Sequence, residues 1–106
     1  MNLNNYQSQI VDLSKNYKDI SRINTFAFGL CEEVGEVASL FKRYYRNENN
    51  SNFITDLTKE LGDILAYLSL LANEYDISLE NIANSNLEKI SKRVQNKTIL
   101  GSGSER

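Results

Sequence analysis

Residues 59–72 read KELGDILAYLSLLA. Leu61, Ile64, Leu65, Leu68 and Leu71 recur at steps of three and four, the period of a helix with one buried face. Phe53 and Leu57 extend the stripe backwards, while Ile54, Tyr67 and Leu70 widen it past half the circumference. Such a helix, expected over about 53–75, is either central in its fold or covered by a second chain.

Working outward, the spacing predicts three more helices. Leu3, Tyr6, Ile10, Leu13 and Tyr17 form a stripe over about 3–18. Phe26, Leu30, Val34, Val37, Phe41 and Tyr44 form the inner face of a helix starting near Ser21–Asn24 and ending at about Tyr45. NENNSN (47–52) is a polar turn ending in residues able to cap the next helix. Ser78 is an N-cap, with Glu80 in the first turn and Ile82, Leu87, Ile90 and Val94 as the stripe, ending near Arg93–Gln95. With no proline in the chain, this is an all-α protein: a four-helix bundle in one domain, 1–100, with a short polar tail, 101–106. At 106 residues the core is modest, and self-association would help it.

Composition narrows the chemistry. The net charge of −2 and a pI near 5.1 give no electrostatic basis for binding duplex nucleic acid or an anionic membrane. No stretch is apolar for long enough to span a bilayer, and MNLNNYQSQ does not read as a secretory signal. The single cysteine, Cys31, forbids an intrachain disulfide and suits a reducing cytoplasm; it reads as an inert packing residue. Histidine is absent, which removes His general bases, His-ligated zinc and the Glu-x-x-His di-iron site.

Carboxylates remain, and their arrangement is unusual. Glu60 and Asp63 lie three apart within the apolar stretch, and EEVGE (32–36) repeats the pattern with Glu33 and Glu36. Residues three apart share a helix face, where like charges repel. Either pair alone reads most simply as solvated surface. The glycines beside them, Gly35 and Gly62, cost a helix about 1 kcal/mol each and suggest close approach of a backbone or ligand. Leu61, Ile64 and Leu65 also hold the second pair near the core. Facing each other, four carboxylates would need cations, and oxygen-only ligands select Mg²⁺ first, then Mn²⁺ or Ca²⁺.

GLCEEVGEVASLFKR (29–43), KELGDILAYLSLLA (59–72) and ISLENIANSNLEKISKR (77–93) together resemble the MazG-like nucleoside triphosphate pyrophosphohydrolases. That superfamily also contains dimeric dUTPases, dCTP pyrophosphatases and phosphoribosyl-ATP pyrophosphohydrolase. The likeness spans about residues 3–106, from the Tyr6-Gln7 opening to the GSG tail, and its signature EExxE…ExxD is present in order. The resemblance implies Mg²⁺-dependent cleavage of (d)NTPs between the α- and β-phosphates, in a homodimer or homotetramer that cleans the nucleotide pool. Glu33, Glu36, Glu60 and Asp63 match the metal ligands, with Glu32 an outer-shell residue and Glu33 or Glu36 assisting attack by water.

Asn86, Lys89 and Arg93 match the N-x-x-K-x-x-x-R pattern of the last helix and share one face, where the cations suit triphosphate oxygens. Asn86 would contact sugar or base, or a neighbouring backbone. Lys42 or Arg43 adds a phosphate contact or is ordinary surface charge, and Tyr67 stacks on a base or fills the core. Related tails read GSGD followed by arginine, whereas Ser104 stands here in place of the aspartate and Glu105 follows it. Two rival readings are phosphoribosyl-ATP as substrate, and a non-enzymatic, metal-stabilised helical module.

Overall fold

The computed structural model describes residues 1–15, 22–46 and 51–96. Four helices follow in order: α1 (Leu3–Ser14), α2 (Arg22–Tyr45), α3 (Phe53–Glu74) and α4 (Leu79–Gln95). The described residues contain no strand, as the hydrophobic periodicity predicts. The expected end of the first helix near residue 18, the centre of the NENNSN turn and the GSGSER tail lie outside the described residues.

Helices α2 and α3 form an antiparallel hairpin. At one end the Arg22 guanidinium donates to the Glu74 carboxylate at 2.9 Å. At the other, the Phe53 ring meets Phe41 edge-on at 5.2 Å and Tyr44 at 4.5 Å. Phe26 and Leu40 are the fully buried anchors of α2. Asn52 holds the N-cap position of α3, yet its side chain makes no capping bond; its carbonyl accepts the Asp56 N–H at 2.9 Å.

The short passage from α3 to α4 is tightly specified. Asp76 has φ 56°, in the left-handed region. The Ile77 N–H donates to the Ala72 carbonyl at 3.0 Å and the Asp76 N–H to Asn73 at 3.1 Å. These two bonds make a Schellman stop, built here without glycine. Ser78 then caps α4 as expected, its hydroxyl accepting the Asn81 N–H at 3.1 Å.

Helix α1 joins this turn through Gln7, which is buried. Its amide donates to the carbonyls of Ser69 (3.2 Å) and Ile77 (3.0 Å), and its oxygen accepts the Leu79 N–H at 3.0 Å. Asn4 adds a reciprocal pair, donating to Glu80 Oε2 at 3.0 Å and accepting the Glu80 N–H at 3.1 Å. One polar residue thus ties α1, α3 and α4 together and satisfies an N–H that α4 cannot bond internally.

Several stripe residues are not buried in the single chain. Leu13 is 84% exposed, Leu87 64% and Val94 59%, and Val34 and Leu61 are about half exposed. Among the described residues only Phe26, Leu40, Ala72 and Leu79 are fully buried apolar side chains. Cys31 is exposed rather than packed. Periodicity marks a face as apolar without saying that the same chain covers it.

Candidate metal and nucleotide site

Antiparallel pairing of α2 and α3 brings the two acidic motifs side by side. Glu33, Glu60 and Asp63 each place a carboxylate oxygen within 4.8 Å of the others. Glu33 and Glu60 are half-buried and Asp63 is exposed. Glu36, one turn further along α2, is exposed and stays outside this trio, as does the exposed Glu32.

The electrostatics carry the mark of crowding. The Glu33 carboxyl is pushed above its ordinary value by burial first, then by the charges of Asp63, Glu60 and Glu32 and by a hydrogen bond with Glu60. Three carboxylates this close, with only oxygen donors, fit a hard divalent cation. The Tyr6 phenol on α1 is likewise raised, chiefly by burial and then by the charge of Asp63. Tyr6 therefore belongs to the surroundings of the site. Spacing marks Tyr6 only as part of the first helix's apolar stripe, because its link to Asp63 joins helices far apart in sequence.

The glycines divide into two kinds. A Cβ at Gly35 or Gly62 would meet nothing within 4 Å, so neither permits close approach within this chain. Gly29 does: a Cβ there would fall under 3 Å from three carbons of the Tyr67 ring. Gly29 stands one turn before Glu33 and Tyr67 one turn after Asp63, so the contact flanks the carboxylates. Tyr67 is half-buried against α2.

The last helix carries three of the polar residues named from the sequence. Asn86 and Lys89 line a cavity of about 450 Å³ with Ile77, Asn81, Ile82 and Ser85. That lining contains no acid and shares no residue with the carboxylate trio. Arg93 is half-buried one turn beyond Lys89. Lys42 and Arg43 are exposed in the last turn of α2, where cations suit the helix dipole, and Arg43 donates to Ser39 Oγ at 2.8 Å. Among the described residues, no helix is long and apolar enough to cross a membrane.

Comparison with known proteins agrees with this geometry. The MazG nucleotide pyrophosphohydrolase domain matches residues 22–98, which takes in α2, α3 and α4. The chain is similar to the Gene 37 protein of Mycobacterium phage L5, with 35% identity over 92 residues, 82% of this chain and 79% of the relative. It is also similar to the uncharacterized protein YvdC of Bacillus subtilis (strain 168), with 28% identity over 74 residues, 62% of this chain and 70% of the relative. No solved structure matches. With the matched domain covering most of its length and both acidic motifs, the chain belongs to the MazG nucleotide pyrophosphohydrolase family.

Proposed function

We propose that this protein is a Mg²⁺-dependent nucleotide pyrophosphohydrolase that cleaves (d)NTPs to the monophosphate and pyrophosphate in nucleotide-pool house-cleaning. The observation that carries the reading is the convergence of Glu33, Glu60 and Asp63 within a MazG domain. Mg²⁺, with Mn²⁺ as a substitute, would supply charge neutralisation and polarisation of the phosphate oxygens. Glu33, Glu60 and Asp63 would hold it, with Glu36 as a fourth ligand and Glu32 in the outer shell.

Attack by water on the α-phosphorus breaks the bond to the bridging oxygen, which leaves with the pyrophosphate. Glu33, or Glu36 beside it, accepts the proton of the attacking water. Lys89 and Arg93 bind the β- and γ-phosphates and offset the charge developing on the leaving group, with Lys42 as a further contact. Asn86 contacts sugar or base, and Tyr67 contacts the base.

Apolar area left open on α2, α3 and α4 supports a homodimer or homotetramer. The net charge of −2 supports action on free nucleotides rather than on duplex nucleic acid, with the cytoplasm as the place of action.

The test is product analysis across ribo- and deoxyribonucleoside triphosphates, including dUTP and damaged nucleotides, with Mg²⁺ and with chelator. Metal-dependent formation of monophosphate and pyrophosphate is expected. Turnover of phosphoribosyl-ATP alone would reassign the substrate. Metal-dependent stability without any turnover would point to a helical module.

A further inference from the structure

A second cavity, of about 320 Å³, opens beside the carboxylates and is lined by Asn24, Thr25, Phe28, Gly29, Glu32 and Tyr67. We infer that this cavity receives the nucleobase of the substrate, with Phe28 and Asn24 as specificity-determining residues. The inference rests on the pyrophosphohydrolase reading and adds to it the place where the base is read.

Position is the first argument. Gly29 precedes Glu33 by four residues, and Tyr67 follows Asp63 by four. Because α2 and α3 are antiparallel, both steps run in the same direction, about 6 Å along the hairpin at 1.5 Å per residue. A nucleotide whose α-phosphate lies at the carboxylates extends its sugar and base either toward this cavity or away from it. On the other side, the inter-helix space is filled by Phe41, Phe53 and Tyr44. On the Gly29 side a cavity lies between these helices.

Chemistry is the second. Phe28 is 72% exposed, an aromatic ring largely open to solvent. Gly29 lets the Tyr67 ring sit directly against the α2 backbone, so the cavity has one free aromatic wall and one held in place. Asn24 brings an amide, able to donate and accept at a base edge. Glu32 is the only charged residue in the lining, and it is anionic, which disfavours phosphate there. The cavity bearing Lys89 has the opposite character. Aromatic walls, a few polar groups and a volume near 300 Å³ suit a flat heteroaromatic ring.

The experiment has two arms. In the first, Phe28→Ala and Asn24→Ala are compared with the parent for kcat, KM and order of preference among bases, with inorganic tripolyphosphate as a base-free inhibitor. Loss of one stacking wall should raise KM about 10-fold or more, with kcat little changed. Asn24→Ala should reorder the bases, and inhibition by tripolyphosphate should stay as in the parent. Unchanged KM and base preference in both variants would overturn the inference, including the case where Phe28→Ala alters only the oligomeric state.

The second arm needs no turnover. The metal-free, ¹⁵N-labelled protein is titrated with nucleoside 5′-monophosphates carrying each base. Shifts centred on the amides of Phe28, Gly29 and Tyr67 support the cavity as the base site, even if no triphosphate is hydrolysed and the pyrophosphohydrolase reading falls. Shifts confined to the Asn86–Lys89 cavity, or no shifts, would refute it.

Discussion

Gln7 of α1 accepts the backbone N–H of Leu79 at 3.0 Å, so the first residue of α4 is held by a side chain seventy-two positions earlier. The same amide donates to Ser69 and Ile77, and nothing in its buried setting could replace it with water cheaply. Gln7→Leu should therefore lower unfolding stability by about 2–3 kcal/mol, because buried polar groups are left unpaired. Gln7→Glu should recover only part of this, since a carboxylate accepts from Leu79 but cannot donate to the two carbonyls. Urea unfolding of the three proteins measures both differences.

Asp76 sits at φ 56° in the stop between α3 and α4, a conformation that strains most L-residues. Asp76→Gly should raise stability by up to about 1 kcal/mol, the strain relieved less the added chain entropy. Thermal unfolding would register this as a higher midpoint. An unchanged or lower midpoint would mean that the aspartate side chain stabilises the turn.

Glu33 gives the pH dependence a definite sign. Its carboxyl titrates above the ordinary 4.5 in the folded protein because of burial and neighbouring acids. A raised folded value means the unfolded chain loses its proton first. The contribution to stability is then present below pH 4.5 and is lost as pH climbs through the raised range. For the metal-free protein, this group should make the melting temperature fall across that interval. Glu33→Gln should flatten that fall. Added Mg²⁺ should stabilise the parent more at pH 7 than at pH 4.5, and Glu33→Gln less at either.

Gly29 and Tyr67 form a pair that a double-mutant cycle can isolate. Gly29→Ala should destabilise by about 1–3 kcal/mol, because the new methyl overlaps the ring. In a Tyr67→Ala background the same change should cost much less and could turn favourable through helix propensity. Equal costs in the two backgrounds would dissociate the two residues.

What the chain reveals without a structure depends on how far apart the cooperating residues lie. Helix positions and the Ser78 cap were legible, because each follows from spacing within one or two turns, whereas Glu33 meets Glu60 and Asp63 only through the antiparallel pairing of α2 with α3. Gly29 was not, because its meaning comes from a ring thirty-eight residues away; Gly35 and Gly62, beside the acids, face open space, which leaves room for a ligand. The Gln7 bolt was equally hidden: a single glutamine in an amphipathic helix gives no sign of which carbonyls it will meet. Leu13, Leu87 and Val94 fit their stripes and remain exposed, since a periodic pattern records a face and not its partner.

The central claim is that Glu33, Glu60 and Asp63 direct water to the α-phosphorus of a nucleoside triphosphate. Hydrolysis in ¹⁸O-labelled water, with Mg²⁺ and with the products separated by mass, tests it most directly. The account predicts a single ¹⁸O in the nucleoside monophosphate and none in pyrophosphate, with the reaction lost in Asp63→Asn and Glu60→Gln. Label in the pyrophosphate, or full activity in both variants, would contradict it.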